Sequence, residues 1–178
     1  MFSVGLMIEG QDGLTWPRWQ RLVQAAELFG FSSLFRSDHF TNRNQPAKES
    51  LELWVSLTYA TTITNRIRLG SLVSSITSRH PAITAMIASA VNELSNGRLT
   101  LGLGASWQEW EHRMFGIPFP PRATRLDMLE EALEVITHLL RSDIPTNYSG
   151  KYYSLNEAGL SPNSSRVDSP LLLVGGYG

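Results

Sequence analysis

Apolar and polar positions along the chain predict strands and helices in alternation. Short apolar runs typical of buried strands are separated by longer stretches whose apolar residues recur every three to four positions, as on one helix face. The predicted strands are 2–8, 33–36, 67–73, 99–104 and 171–174. The first four begin about every 30–35 residues, the length of a βα unit. This pattern predicts an α/β protein with a parallel sheet.

The predicted helices carry start and stop signals. Thr15 and Pro17 suit the N-cap and first turn of the first helix, and Gly30 suits its end. Pro81 opens the third helix, whose apolar positions include Ile83, Met86, Ile87, Ala90, Val91 and Leu94. The second and fourth helices are predicted at 51–62 and 123–140, the latter with apolar residues at 3.6-residue spacing.

Two architectures accommodate these parallel strands. One is an open doubly wound sheet and the other a (β/α)₈ barrel, and spacing alone does not choose between them. A barrel needs about 250 residues, whereas this chain has 178 and supplies five of the eight strands. Residues 141–170 form an irregular insertion, in which NYSGKYYSL predicts a small hairpin turning at Ser149–Gly150.

Composition narrows the range of partners. The net charge is −1 without a basic run, so we expect no nucleic-acid partner. The chain contains no cysteine, which removes disulfides and thiolate chemistry. No stretch approaches the ~20 apolar residues of a membrane span, and the N-terminus lacks the basic region of a signal peptide. We therefore expect a cytoplasmic protein with no membrane partner.

The glycine-rich stretch LGLGASWQEWEHRMFGIPF (101–119) matches neither of two common catalytic motifs. Gly102 and Gly104 fit the first two positions of a dinucleotide fingerprint, but Trp107 occupies the third. Ser106 is not in a G-x-S-x-G motif, because Gln108 replaces the second glycine. Two interpretations of the glycines stay open: tight strand packing, or close approach of a flat ligand to the backbone.

The four histidines include one at an edge where ligands bind. His39 follows Asp38 after the strand 33–36, and the carboxyl ends of parallel strands are the usual ligand edge. We favour a functional role for this pair over turn capping and packing. No histidine pair has zinc-binding spacing, so no metal site is predicted. Structural interpretations apply to the others: His80 at a helix start, His138 in solvent, and His112 on a helix surface beside Glu111.

Four segments together resemble the bacterial-luciferase-like monooxygenases, especially the branch that uses the deazaflavin coenzyme F-420. They are SDHF (37–40), RIRLGSLV with RHPAI (66–73 and 79–83), NGRLTLGLGASWQEWEHRMFGIPFPP (96–121) and LLLVGGYG (171–178). With RLDMLEEALEVI in the fourth helix, their order and spacing extend the resemblance over essentially the whole chain. It implies that residues 1–178 are the N-terminal part of one luciferase-like (β/α)₈ TIM-barrel domain, including the insertion at about 141–170.

The resemblance also implies the site residues. Asp38 and His39 are expected to be catalytic, at the reactive side of the cofactor ring. Leu72 and Val73 are expected to form a bulge behind the ring, with a non-proline cis peptide at or next to them. The other residues expected to bind the cofactor are Ser75, Gly104, Ala105, Ser106, Trp107, Gly175 and Gly176. No metal is expected.

The function implied is hydride transfer between coenzyme F-420 and an unidentified small organic substrate. Such transfer requires a flat, apolar binding pocket and one well-placed imidazole. It requires little acid–base catalysis. The alternatives are a monooxygenase that uses flavin mononucleotide (FMN) and O₂, and a non-catalytic barrel fragment. The polyglutamate tail of F-420 calls for basic residues. Those nearest the expected barrel mouth in sequence are Arg36, Arg43, Lys48 and Arg79.

Five strands of an eight-stranded barrel leave two open edges, on the first and last strands. Open edges invite pairing with other chains. The family's phosphate site is usually completed by strands 7 and 8, which this chain lacks. We therefore expect the chain to be part of a longer protein or to self-associate, and we expect a homo-oligomer.

Overall fold

The computed structural model describes residues 2–42, 48–160 and 167–176, and it contains one parallel five-stranded sheet. The order within this sheet is β1-β2-β3-β4-β7, and every neighbouring pair is parallel. This arrangement confirms the predicted α/β class and all five strands. The strands of the chain are β1 (Gly5–Ile8), β2 (Ser33–Arg36), β3 (Arg68–Ser75), β4 (Leu99–Gly104), β5 (Thr146–Ser149), β6 (Ser154–Ala158) and β7 (Leu171–Val174).

Helices separate the first strands of the sheet, and their predicted boundaries are confirmed by local contacts. Thr15 Oγ1 accepts a hydrogen bond from the Arg18 amide at 3.3 Å, and His80 Nδ1 accepts one from the Ala82 amide at 3.2 Å. Gly30 has a φ of +81°, a left-handed conformation that favours glycine. The helices are α1 (Trp16–Leu28), α2 (Leu53–Thr62), α3 (Pro81–Leu94), α4 (Glu109–Phe115) and α5 (Arg122–Arg141).

The buried face of α3 differs from the predicted one. Val91 is buried as predicted, but Ile83, Met86 and Leu94 are exposed, because the helix packs through a face that overlaps the predicted one only in part. That face carries polar as well as small apolar side chains, so hydrophobic periodicity identified it only in part. Its buried residues are Pro81, Thr84, Ala85, Ala88, Val91 and Asn92.

The predicted hairpin in the insertion is confirmed. Strands β5 and β6 pair antiparallel, with Ser149 opposite Ser154. The carboxylate of Glu131 on α5 accepts hydrogen bonds from three successive backbone amides of the connecting turn, those of Lys151, Tyr152 and Tyr153. The hairpin is thus fastened to the outer face of α5 rather than inserted into the sheet.

Strands β3 and β4 pack closely against each other near the C-terminal edge of the sheet. Their register shifts between Ser71 and Ser74, and the Leu72–Val73 peptide bond is cis, which confirms both the predicted bulge and the predicted cis peptide. A Cβ on Gly102 would lie 2.2 Å from the Ser71 carbonyl oxygen. Tight strand packing therefore explains Gly102.

Candidate functional site

A cavity of about 780 Å³ opens at the C-terminal ends of the parallel strands. Segments that follow β1, β2, β3, β4 and β7 line it, together with side chains of α4 and α5. Every residue expected to form the site lines this cavity. These residues are Asp38, His39, Leu72, Val73, Ser75, Gly104, Ala105, Ser106, Trp107, Gly175 and Gly176.

Val73 and two glycines form a shallow part of the cavity wall. A Cβ on Gly104 would lie 2.5 Å from Val73 Cγ2, and a Cβ on Gly175 would lie 2.5 Å from Val73 Cγ1. A side chain at either position would displace Val73. The two glycines therefore let Val73 pack directly on their backbone, and the resulting compact aliphatic wall suits the face of a flat ring.

His39 is held between a carboxylate and an amide. Its Nδ1 lies 3.0 Å from Glu111 Oε2, and its Nε2 lies 3.2 Å from Gln108 Nε2. The edge of Trp107 approaches the imidazole at 5.8 Å between ring centroids. Burial alone would lower the pKa of His39, but the hydrogen bond to Glu111 and nearby carboxylate charges raise it above its ordinary value.

Glu111 joins α4 to the loop that follows β2. Besides the contact with His39, its Oε1 accepts hydrogen bonds from the backbone amides of Phe40 at 2.6 Å and Thr41 at 3.0 Å. The side chain is almost completely buried. Both carboxylate oxygens are therefore occupied by groups from the His39 loop.

Asp38 connects the end of β2 to the end of β3. Its Oδ2 accepts hydrogen bonds from Ser74 Oγ at 2.9 Å and the Ser75 amide at 3.3 Å, and it pairs with the Arg79 guanidinium. Arg79 also donates to Glu52 Oε1 at 2.7 Å. Burial would lower the pKa of Arg79, but the charges of these two carboxylates raise it above its ordinary value.

Thr77 links a cluster of hydroxyl groups to a second, buried histidine of the site. Thr77 Oγ1 lies 3.0 Å from Ser75 Oγ, 2.7 Å from Ser106 Oγ and 2.6 Å from His112 Nε2. His112 Nδ1 lies 3.0 Å from the carbonyl oxygen of Gln108. Since a carbonyl only accepts, Nδ1 carries a proton and donates it to Gln108, and Nε2 is left facing the Thr77 hydroxyl.

The interpretation of His112 as a helix-surface residue is wrong, because it is only 4% exposed. Helix α4 has seven residues, too few for periodicity to show which face is buried. Glu111 and His112 are adjacent in sequence, yet both point inward and hold different walls of the cavity. Sequence reasoning also missed the contacts of Gln108 and Thr77, which depend on the path of the loops.

The basic residues that line the cavity are not the four that lie nearest the expected barrel mouth in sequence. Arg36 is fully buried, and burial lowers its pKa to about 10. Arg79 is engaged with two carboxylates, Lys48 pairs with Asp12 at 3.5 Å, and Arg43 lies outside the described residues. The arginines that line the cavity are Arg122 and Arg125.

Arg125 shapes the loop that follows β4. It donates to the carbonyl oxygens of Ala105 at 2.9 Å and Pro120 at 2.6 Å. Its guanidinium lies 3.9 Å from the centroid of the Phe119 ring, a favourable cation–π geometry. The side chain therefore fixes the backbone of residues that line the cavity.

Residues 2–178 match a family model described as luciferase-like monooxygenase. The chain belongs to the luciferase-like monooxygenase family. Among curated members, the pyrimidine monooxygenase RutA of Pseudomonas syringae is 28% identical over 162 residues, which are 88% of this chain and 44% of RutA. The chain thus spans about half the length of the curated luciferase-like relatives it matches.

Solved structures of the luciferase-like fold show the same architecture. An F-420-dependent secondary alcohol dehydrogenase, in complex with an F-420–acetone adduct, superposes with a TM-score of 0.87 at 24% identity, covering 98% of this chain and 52% of that one. The oxygenating constituent of 3,6-diketocamphane monooxygenase from Pseudomonas putida, in complex with FMN, gives 0.75 at 20% identity, with coverages of 99% and 52%. The five-stranded sheet is therefore a partial luciferase-like barrel, rather than an open doubly wound sheet. In the described part of the chain, every helix is too short or too polar to cross a membrane.

Proposed function

We propose that the protein transfers hydride between coenzyme F-420 and a small organic substrate. The observation that carries this proposal is the position of His39, which lines the same cavity as the Leu72–Val73 wall. The SDHF, RHPAI and GASWQEWEHRMFGIPFPP segments favour the F-420 branch. The superposition on an F-420-dependent dehydrogenase, at a TM-score of 0.87, supports the same choice.

The residues of the cavity fit a flat, tricyclic cofactor. The volume of about 780 Å³ lies within the range of small-molecule sites. Gly104 and Gly175 let Val73 pack directly against the backbone of the cavity wall, because a Cβ at either position would lie 2.5 Å from a Val73 methyl group. The Oε1 atom of Gln108 is buried without a hydrogen-bond partner among the described residues, so it can accept one from a bound molecule.

When bound, the deazaflavin supplies the hydride-carrying carbon, and the chain supplies orientation and charge. In this proposal Leu72 and Val73 support the back of the ring and exclude water. Ser75, Ser106 and Trp107 line its edge, and Gly175 and Gly176 allow close passage of the side chain. His39 balances charge or moves a proton at Nε2. Asp38 orients the ends of β2 and β3 around the reacting groups.

An FMN-dependent monooxygenase is the second candidate function. The matched curated relatives include the pyrimidine monooxygenase RutA, and one structural neighbour contains FMN. Both rings are flat and need the same apolar wall. The two candidates differ in the cofactor tail and in the need for O₂.

Fluorescence titration of the full-length protein with each cofactor separates the candidates. We expect F-420 to bind more tightly than FMN. FMN affinity at least tenfold higher, about 1.4 kcal/mol, would overturn the F-420 assignment and support the monooxygenase. Binding of neither cofactor would support the non-catalytic alternative.

We further propose that the protein works as a homo-oligomer in the cytoplasm. Among the described residues, β1 pairs only with β2 and β7 only with β4, which leaves two open sheet edges. Leu171 and Val174 on β7 are more than half exposed. Sedimentation equilibrium of residues 1–178, in which these edges are open, tests this, and a monomer at micromolar concentration would contradict it.

A further inference from the structure

We propose that Glu111 is a positioning residue that sets the tautomer of His39 and leaves Nε2 as the nitrogen available to the cavity. Nothing in the sequence motifs assigns this role to Glu111. The catalytic consequence rests on the proposed function, because His39 acts there on a bound ligand. The assignment of the tautomer itself rests only on the contacts of these residues.

The hydrogen bonds of Glu111 determine which nitrogen of His39 carries the proton. An ionised carboxylate only accepts hydrogen bonds. Its Oε1 is occupied by the amides of Phe40 and Thr41, and its Oε2 lies 3.0 Å from His39 Nδ1. Nδ1 must therefore be the donor, in the neutral and in the protonated ring alike. Only Nε2 can gain or lose a proton.

Gln108 accommodates both protonation states of His39. In the neutral ring, the Gln108 amide nitrogen donates to Nε2 across 3.2 Å. In the protonated ring Nε2 becomes a donor, and a 180° turn of the Gln108 amide brings Oε1 to the same place. In the neutral arrangement that oxygen is buried and unpartnered within the described residues, so the turn costs no hydrogen bond.

The charged groups around His39 favour the protonated ring. Glu111 faces it from α4, Asp38 from the end of β2, and Glu9 from the segment after β1. Arg79, a cation of the same region, is paired with Asp38 and Glu52. Of these three carboxylates, Glu111 is the one that hydrogen-bonds the ring. It therefore both orients the His39 imidazole and increases its affinity for a proton.

NMR of the full-length protein labelled with ¹⁵N-histidine tests the proposal without any cofactor. In the wild-type protein above the titration midpoint, we expect the ¹⁵N shifts of His39 to show Nδ1–H and unprotonated Nε2. In Glu111→Gln we expect proton affinity to fall at least tenfold, since an adjacent opposite charge typically shifts a pKa by 1–3 units. His39→Asn assigns the resonances.

Glu109→Gln is the matched control, because Glu109 is exposed on the same helix and pairs only with Arg113 among the described residues. It should leave the His39 midpoint unchanged. An Nε2–H tautomer in the wild-type protein would overturn the proposal, and that measurement needs no substitution that might impair folding. An unchanged midpoint in folded Glu111→Gln would overturn it equally.

The outcomes separate this proposal from the proposed function. The expected tautomer with no F-420 binding would retain the role of Glu111 and refute the function. With F-420 bound and turnover measurable, Glu111→Gln should shift the pH profile of kcat toward lower pH, in step with the NMR midpoint. A uniform loss of kcat without that shift would indicate a merely structural role and contradict positioning.

Discussion

Thr77 Oγ1 lies 2.6 Å from His112 Nε2, and this contact joins the loop after β3 to α4. Because the second nitrogen of His112 bonds a backbone carbonyl, the buried imidazole depends on Thr77 for its remaining partner. The same hydroxyl contacts Ser75 and Ser106, two residues of the cavity wall. The packing of α4 is thus linked to the shape of the site.

Replacing Thr77 with valine should destabilise the protein by about 1–3 kcal/mol, because a buried imidazole nitrogen loses its hydrogen-bond partner. Urea unfolding followed by circular dichroism measures the change. Thr62→Val is the control, since Thr62 is exposed and its hydroxyl bonds only a carbonyl of its own helix. Its effect should stay within about 0.5 kcal/mol. Equal losses in the two variants would show that the His112 contact contributes nothing.

Arg79→Met should destabilise the protein by about 3–5 kcal/mol, because it leaves the buried Asp38 carboxylate without its cation. The exposed pair of Arg113 with Glu109 supplies the control, and Arg113→Met should cost no more than about 1 kcal/mol. Denaturant unfolding of both variants measures the difference. A loss below about 1 kcal/mol in Arg79→Met would mean that Asp38 is stabilised by its serine hydrogen bonds alone.

The stabilising effect of the His39–Glu111 pair should decrease as pH rises. The pKa of His39 is raised in the folded protein above the unfolded value of about 6.5. The contribution is therefore complete below about pH 6.5 and is lost as pH rises through the folded pKa. Unfolding free energies of wild type and His39→Asn, measured from about pH 5 to 9, should converge over this range.

The same pH series in a Glu111→Gln background tests the cause of that convergence. Without the carboxylate, adding His39→Asn should change the pH dependence of unfolding less than it does in the wild-type background. If the difference in unfolding free energy between wild type and His39→Asn increased above about pH 6.5, the predicted direction of the pH dependence would be wrong.

Gly102→Ala should destabilise the protein by about 3 kcal/mol. The added Cβ would lie 2.2 Å from the Ser71 carbonyl oxygen, and backbone atoms of a central strand have little room to move. Gly159→Ala is the control, because the nearest atom to its Cβ is 3.9 Å away. Thermal unfolding compares the two. A Gly102→Ala protein as stable as the control would show that β3 and β4 can separate at no cost.

Gly104→Ala should weaken cofactor binding more than it weakens folding. Its Cβ would lie 2.5 Å from Val73 Cγ2. The Val73 side chain can shift to relieve this clash, whereas the backbone atoms beside Gly102 cannot. We expect at least a tenfold loss of cofactor affinity, with unfolding free energy lowered by about 1 kcal/mol. Fluorescence titration and urea unfolding of the same sample measure both. Unaltered affinity would remove Val73 from the proposed ring contact.

Hydrophobic pattern predicted most of the fold because each strand and helix is encoded locally. The strand 99–104 was predicted at its observed bounds, and the helix predicted at 123–140 is observed as Arg122–Arg141. The first strand is shorter than predicted, starting at Gly5 rather than Phe2, because only Gly5–Ile8 pair with β2. The buried face of α3 was predicted only in part, since its position depends on the neighbouring elements.

The sequence by itself indicated the parallel α/β architecture, and its resemblance to the luciferase-like family implied eleven of the residues that line one cavity. Only the tertiary structure decided which side chains contact one another there. The pairs His39–Glu111 and Thr77–His112 are separated by 72 and 35 positions in the chain. Such contacts depend on how loops and a seven-residue helix fold over the sheet, and no local periodicity encodes that path. The carboxylates that folding brings around His39 then raise its pKa against the effect of burial, and the contact with Glu111 orients its ring.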